Sequence, residues 1–425
     1  MSADRQGSEQ ADATAGPRPL RRGQWAVVML TLGVWLVCSA FLTTAIPPGD
    51  APDEDAHLAF IQHLAETWTL VDFRTQGRGT EMHQPPLYYA TCAVLMQTAG
   101  VGRYGLRLVS TLCGVGLIAA TFALARAWFP RQAFAFHWAA AVVLALLPMN
   151  LYICSAINND PLVNLLVALG LLQMWRSRGS KHPVLSAAST GALAGLAMLT
   201  KSTALALVAV GLVWYGVPLI KSRGRGVAAQ RLWAFLAALA LLWGPWAVRN
   251  TLVYGDPLAA GAFATVAAGP PPTHVGYPAI TYWLRWVARW GWFTLWGAYD
   301  HLVHADDFMP LVWYLALLLP VGLALIGFTI RWRTSEIEAR RRLLLVSLAA
   351  GAAVLLAGFI SFNTTVFQAQ ARYFFCYLPV FAIFLCTGLQ GLGEFKGRVT
   401  LVALLSLLAI GCWTGVRWQM WYAGQ

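Results

Sequence analysis

Residues 340–362, RRRLLLVSLAAGAAVLLAGFISF, join three arginines to twenty residues that carry no charge. A helix needs about 20 mainly apolar residues to cross a bilayer, so this stretch predicts a membrane-spanning helix. Comparable runs recur along the chain. We identify eleven, at approximately 25–46, 105–127, 135–157, 161–176, 184–200, 203–220, 232–250, 309–330, 343–362, 374–392 and 399–418. The sequence therefore predicts an all-α polytopic membrane protein with about eleven transmembrane helices.

The composition supports this class of protein and excludes several others. Of the 425 residues, 58% are hydrophobic and 11% are charged, whereas a soluble domain carries about 25% charged residues. The apolar residues come in unbroken runs and not in alternation, which excludes an outer-membrane β-barrel. The seven cysteines are scattered without zinc-ligand spacing, so neither a disulfide framework nor a structural metal site is indicated.

The basic residues orient the helices. We place 20 of the 30 Lys and Arg residues in the N-terminal tail and in alternate connections, and 12 of the 18 acids on the other side. Basic connections stay on the cytoplasmic side of a membrane. The net charge of +12 therefore sets the topology and does not indicate a nucleic-acid partner. Residues 1–24 are predicted as a disordered cytoplasmic tail, and residues 25–425 as one transmembrane domain with an outer loop at 47–104 and an outer segment at 251–308.

The outer loop 47–104 concentrates acidic residues. A connection of this length is uncommon unless it has a function or a structure of its own. Pro52-Asp53-Glu54-Asp55 is typical of a helix start, because acids in the first turn interact favourably with the helix dipole. Apolar residues then recur at helical spacing, which predicts an amphipathic helix at the membrane interface. A second interfacial segment is predicted from His83 to about Gly100.

Cations are expected on the same outer side. They are Lys201 at the hinge of a short hairpin over 184–220, Arg249 at the end of the seventh span and Arg372 at the start of the tenth. A carboxylate can take a proton from a hydroxyl group, and Arg or Lys can stabilise a departing phosphate. These groups therefore suit a lipid-phosphate substrate and a hydroxyl acceptor. Such a reaction requires no cofactor, although a divalent cation bound by His57, His83 and a nearby acid is an alternative.

At these residues the sequence resembles the C-type superfamily of integral-membrane glycosyltransferases, which use polyprenyl-phosphate sugars. Protein O-mannosyltransferases and lipid A aminoarabinose transferases are the closest parallels. The resemblance is carried by an ordered set of short motifs: Asp53-Glu54 with His57, Pro85-Pro86-Leu87-Tyr88-Tyr89, Asn159-Asp160, Leu199-Thr200-Lys201, Arg249-Asn250 and Gln370-Ala371-Arg372-Tyr373.

The resemblance implies that Asp53 is the catalytic base of an inverting displacement, with Glu54 as its neighbour. The implied donor is a polyprenyl-phosphate sugar, and the acceptor is a lipid, glycan or protein of the cell envelope. The implied location is the bacterial inner membrane, with the active site facing outward. The implied substrate- and phosphate-binding residues are His57, His83, Asp160, Lys201, Arg249, Arg372 and Tyr373.

The chain departs from the family at one position. Aminoarabinose-transferase-like members often have Lys directly before the Pro-Pro pair, where this chain has Gln84. Phosphate binding is therefore expected to depend on the cations at 201, 249 and 372.

Each of these residues also has a simpler interpretation. Asp53 and Asp160 suit helix caps, and the cations suit anchors at lipid headgroups. Asp55 is the alternative to Asp53 as the catalytic base. A lipid transporter or flippase and a non-catalytic scaffold are the alternative functions. A transporter would line a path with charged residues, whereas the predicted spans are nearly free of charge.

Overall fold

A computed structural model of the chain describes residues 19–76, 80–221, 225–267, 279–298, 309–334 and 338–423, and within these ranges every regular element is helical. Most of the predicted tail, and residues 268–278 and 299–308 of the outer segment, lie outside the described residues. The helices in chain order are α1 (Arg22–Ala45), α2 (Glu54–Thr67), α3 (Leu87–Ala99), α4 (Arg103–Trp128), α5 (Phe134–Ala145), α6 (Pro148–Cys154), α7 (Asp160–Ser177), α8 (Pro183–Met198), α9 (Leu205–Lys221), α10 (Arg225–Tyr254), α11 (Ala260–Ala267), α12 (Ala279–Thr281), α13 (Arg289–Trp296), α14 (Leu311–Thr334), α15 (Ala339–Thr365), α16 (Leu378–Gly391) and α17 (Glu394–Ala423).

Short helical turns of other types complete the chain. Three 3₁₀ turns span Phe73–Thr75, Ser202–Ala204 and Ala371–Tyr377, and a π-helical turn at Tyr282–Ala288 joins α12 to α13.

Eight helical stretches in the described part of the chain are long and apolar enough to cross a membrane. They are α1, α4, α9, α10, α14, α15, α17 and the stretch Ala371–Gly391 that contains α16. The helices α5 and α6 meet at an angle of 64° and make a ninth span if they are counted as one. The chain is therefore an integral membrane protein with an all-helical fold, as predicted. Eleven spans are not confirmed in the described part of the chain, because α8 has only 16 residues and α7 is not among the stretches apolar enough to cross a membrane.

Small residues let α8 approach α10 closely. A Cβ atom added at Gly191 would lie 2.1 Å from the carbonyl oxygen of Phe235, and one at Gly195 would lie 2.8 Å from the Cβ of Leu242. This is the close approach that small residues four apart permit between helices. The contact fixes the end of α8, and therefore the position of Lys201 directly after it.

The first outer loop folds into two packed helices. The predicted helical segments correspond to α2 and α3, whose apolar faces meet in a small core. That core contains Phe60, Ile61, Leu64, Tyr88 and Tyr89, and it also includes Ile157 at the end of the bent span. A backbone hydrogen bond from Leu87 to the carbonyl of Leu199 ties the loop to the hinge between α8 and α9. The loop is thus held over the ends of the spanning helices.

Candidate active site

A cavity of about 480 Å³ lies where the first loop meets α9, α10 and α15. Its polar lining comes from the loop and from helix ends, and includes Asp53, His57, Glu81, His83, Lys201, Arg372 and Tyr373. Its apolar lining comes largely from the spanning helices, and includes Leu205, Trp243, Trp246, Leu355, Phe359 and Phe362. Charged groups and an apolar wall therefore share one space.

Asp53 forms an ion pair with Arg372 inside this cavity. The Oδ2 atom of Asp53 lies 2.6 Å from Nη2 of Arg372, and the two side chains are 36% and 6% exposed. Asp53 directly precedes α2 but makes no side-chain hydrogen bond to cap it. Its backbone lies in the left-handed region, at φ 61° and ψ 12°. A residue other than glycine there costs roughly 1–3 kcal/mol and is often found at functional sites.

Glu54 is buried away from the cavity. Its carboxylate accepts hydrogen bonds from Arg107 at 2.6 and 2.7 Å, and from the backbone of Ile157 and Gly49. Burial raises the pKa of Glu54, but the hydrogen bonds and charge of Arg107, together with the backbone N–H groups, outweigh it and hold the pKa below its usual value. Arg107 also donates to the carbonyls of residues 43, 46 and 47. Glu54 therefore stays ionised and anchors the chain directly after Asp53.

Lys201 brings a second cation into the cavity. Its Nζ lies 2.6 Å from Oδ1 of Asp160, and both side chains are buried. Asp160 is not part of the cavity lining and lies behind the lysine. The ring of Tyr373 lies 5.7 Å from Lys201 Nζ and 5.9 Å from the guanidinium of Arg372. Within the described residues, the Nε of Arg372 is buried without a hydrogen-bond partner, so this side chain of the lining keeps a donor for a ligand.

Two histidines also line the cavity, of which His57 is buried and His83 is half-buried. The Nδ1 of His57 lies 2.8 Å from the hydroxyl of Tyr89, and burial lowers the pKa of His57. The ring of His83 lies 4.1 Å from that of Phe263 in α11, and burial lowers the pKa of His83 as well. Both imidazoles are therefore neutral near pH 7 and can donate or accept a hydrogen bond.

Arg249 and Asp55 lie outside the cavity lining. The Nη2 of Arg249 donates to the carbonyl of Val71 at 2.7 Å, so this arginine ties the first loop to the end of α10. The side chain of Asp55 is 67% exposed and pairs with Arg103 at 2.8 Å. Among the predicted site residues, the structure thus brings Asp53, His57, His83, Lys201, Arg372 and Tyr373 together, and it leaves out Glu54, Asp160 and Arg249.

Glu81 lines the cavity but received no role from the sequence. It is one of seven acids in the first loop, and the only signal was its place two residues before His83. The sequence also gives no signal that Trp243 and Trp246 line the cavity, because both lie in an apolar run that resembles the other predicted spans. In the described part of the chain, no three His, Cys, Asp or Glu side chains are close enough to bind one metal ion.

The chain was compared with known families, curated proteins and solved structures. The model of a family described as "Predicted membrane protein (DUF2142)" matches residues 62–381. A search of curated proteins found no match. The crystal structure of ArnT from Cupriavidus metallidurans bound to undecaprenyl phosphate is similar with a TM-score of 0.54 and 17% sequence identity, over 90% of this chain and 63% of that one.

The oligosaccharyltransferase of Archaeoglobus fulgidus is also similar. Its complex with zinc and sulfate gives a TM-score of 0.56 at 14% identity, over 92% of this chain and 53% of that one. The complex of the same archaeal protein, AglB, with an inhibitory peptide and a dolichol-phosphate gives 0.55 at 13% identity, over 94% and 56%. The chain thus spans less than two thirds of these proteins. These likenesses confirm, at the level of the fold, the resemblance predicted from the motifs.

Proposed function

The chain belongs to the DUF2142 family of membrane proteins, and we propose that it is a glycosyltransferase that uses a polyprenyl-phosphate sugar. The observation that carries this proposal is the one cavity in which Asp53, Lys201 and Arg372 share the lining with an apolar wall. A prenyl-phosphate donor has an anionic head and an apolar tail, and it needs both kinds of surface. Two of the similar structures hold undecaprenyl phosphate and dolichol-phosphate, which supports this choice of ligand.

The donor phosphate binds between Lys201 and Arg372. Both cations are buried, so their interaction with a phosphate is little screened by water. Asp160 holds the lysine from behind and fixes its direction. The prenyl chain lies along the tryptophans and phenylalanines of α10 and α15, where burial of apolar surface contributes about 25 cal/mol per Å². The neutral His57 and His83 face the sugar hydroxyl groups.

Asp53 acts as the general base. Arg372 pairs with Asp53 at 2.6 Å, and a bound phosphate competes with the carboxylate for that guanidinium. Asp53 then takes the proton of the acceptor hydroxyl, whose oxygen attacks the anomeric carbon from the face opposite the phosphate. The bond between that carbon and the phosphate oxygen breaks, and the two cations stabilise the prenyl phosphate that leaves. The product has inverted configuration.

Glu54 and Arg249 support the loop and do not touch the substrate in this proposal. No step passes through a metal ion, and the acceptor is a lipid, glycan or protein of the cell envelope. The cavity lies at the end of the helices away from the basic residues around 178–181, 226–231 and 340–342. By the positive-inside rule the cavity faces outward, from a bacterial inner membrane.

A reconstituted transfer assay tests the proposal. Purified protein in lipid nanodiscs receives a panel of prenyl-phosphate sugars, and release of prenyl phosphate is followed by mass spectrometry. We expect one or more donors to turn over, and Asp53→Asn to lower turnover at least about 100-fold, the usual range for a general base. Asp55→Asn is the matched control and should keep most of the activity. Equal loss in both variants, or lipid translocation without transfer, contradicts the proposal.

A further inference from the structure

A second cavity, of about 240 Å³, lies beyond the far end of α7 from Asp160. Its lining includes Arg178 after α7, Trp214 and Tyr215 of α9, and Val227 and Arg231 of α10. The 18 residues of α7 rise by about 27 Å, which is close to the roughly 30 Å apolar thickness of a bilayer. The two cavities therefore lie near opposite ends of α7.

Hydrogen-bond donors without acceptors characterise this cavity. Among the residues that the structure describes, the indole Nε1 of Trp214 has no hydrogen-bond partner, and the Trp214 side chain is fully buried. The Nε of Arg231 is buried and likewise has no partner in this part of the chain. The guanidinium of Arg178 lies 4.8 Å from the Trp214 ring and donates to the Trp214 carbonyl at 3.2 Å. Indole and guanidinium groups only donate, so the cavity favours a ligand with several acceptor oxygens.

The charge of the cavity has the same sign throughout. Burial lowers the pKa of Arg178, and repulsion from Arg231 and Arg340 lowers it further. The sequence contains no Asp or Glu between Asp160 and Asp256, so α7 to α10 supply no balancing carboxylate. Glu338 interacts electrostatically with Arg340, but it is not part of the cavity lining. Packing has thus gathered like charges that an anion would stabilise.

Apolar surface adjoins these donors. Val227 lines the cavity and is 52% exposed, and Ile220 near the end of α9 is 81% exposed. Exposed apolar side chains on membrane-spanning helices face lipid chains. Basic pockets between such helices bind anionic headgroups.

We propose that this second cavity binds the phosphate group of an anionic membrane phospholipid. Arg178, Arg231 and the Trp214 indole donate to the phosphate oxygens, and the acyl chains lie against the exposed residues of α9 and α10. The site is separate from the proposed transfer reaction and does not depend on it.

Lipid binding to the full chain tests the proposal. Wild-type protein is placed in nanodiscs of phosphatidylcholine, with and without phosphatidylglycerol, and its thermal midpoint and its retained lipid are measured, the latter by native mass spectrometry. We expect phosphatidylglycerol to raise the midpoint and to stay bound. The double variant Arg178→Gln, Arg231→Gln should bind phosphatidylglycerol at least roughly tenfold more weakly, because it loses two basic contacts. Arg176→Gln, an exposed neighbour outside the cavity, is the control and should bind like wild type.

The outcomes separate the possible sources of phosphate. Equal loss in Arg176→Gln overturns the proposal, because it indicates a diffuse surface charge. The proposal is also overturned if inorganic phosphate, added to protein in phosphatidylcholine, raises the thermal midpoint as much as phosphatidylglycerol does. The site would then bind a soluble anion. Wild-type protein that shows no response to phosphatidylglycerol overturns it even if the double variant fails to fold. The comparison with phosphatidylcholine alone measures lipid binding directly, so its result does not depend on whether the protein has transfer activity.

Discussion

Asp53 and Glu54 are adjacent in the chain and have different surroundings. The left-handed backbone of Asp53 places its side chain in the cavity, where it pairs with Arg372. Glu54 begins α2 and points to the buried guanidinium of Arg107. The two acids therefore have different tasks, since one carboxylate lies in the cavity and the other holds the turn that presents it.

Glu54→Gln is expected to destabilise the protein. The substitution leaves the buried charge of Arg107 without its carboxylate, and breaking a buried ion pair costs about 3–5 kcal/mol. The thermal midpoint in detergent should fall clearly for Glu54→Gln and stay near that of the wild type for Asp55→Asn, whose carboxylate is exposed. An unchanged midpoint with lost turnover would instead give Glu54 a direct part in the reaction.

Arg372→Gln is expected to lower kcat/KM for the donor about 100-fold or more, because the variant loses a buried charge that stabilises the leaving phosphate. Arg249→Gln is the comparison, since Arg249 contacts Val71 and not the cavity. It should lower kcat/KM far less. Steady-state kinetics with the donor varied measures both. A larger loss for Arg249→Gln would place the phosphate at the end of α10.

His57 and His83 predict a dependence of stability on pH. Burial lowers both pKa values, so the unfolded chain binds protons near pH 6.5 while the folded chain does not. Stability should therefore fall as the pH drops below about 6.5. The paired substitution His57→Gln, His83→Gln should flatten this fall in the thermal midpoint between pH 7.5 and 5. The same substitution at the exposed His182 should leave it unchanged.

The hinge between α8 and α9 is the element that places Lys201. Gly191 and Gly195 are small residues four apart in α8, and in the structure they contact α10. A pair of small residues predicts that two helices approach each other, but any neighbouring helix can satisfy the pattern. The partner follows only from the packing of the whole bundle.

Gly191→Ala is expected to destabilise the protein and to weaken donor binding, because the new Cβ would lie 2.1 Å from the Phe235 carbonyl oxygen. Gly244→Ala in α10 is the matched control, since a Cβ there meets nothing within 4 Å. Alanine is the better helix former, so the control should keep or gain stability. Thermal midpoints and the KM for the donor report both effects. Equal behaviour of the two variants would contradict the close contact.

The helices were predicted best where apolar runs and caps were both visible. The starts of α2 and α3 follow from their acids, prolines and periodic apolar residues. The break between α5 and α6 was missed, because the run 135–157 is apolar throughout, although Pro148 was a usable signal. The sequence predicts that the site residues share one side of the membrane, but it does not predict which of their side chains point into the cavity. Arg249 and Arg372 both lie at helix ends, and only packing points one of them into the cavity.

At the scale of the molecule, the two cavities give opposite ends of the bundle different charges. Carboxylates and cations mix around Asp53, whereas arginines dominate around Arg178. Basic residues that are predicted to orient the chain in the membrane thus also line its second proposed binding site.

Cysteine labelling tests the predicted orientation. In intact cells, a membrane-impermeant maleimide should label Asp55→Cys, because the side chain at 55 is exposed and the loop is predicted to face outward. Arg176→Cys should be labelled only after the membrane is permeabilised. Both are introduced into a chain whose own seven cysteines are replaced by serine or alanine. The reverse pattern would place the cavity of Asp53 in the cytoplasm.

The most direct test of the central claim is an electron cryomicroscopy structure of the full chain in a nanodisc with added prenyl phosphate. The account predicts density for the phosphate within hydrogen-bonding distance of both Lys201 and Arg372, with the chain of the lipid along α9, α10 and α15. Phosphate density at any other place, with the Asp53–Arg372 pair undisturbed and the cavity without lipid, would contradict it.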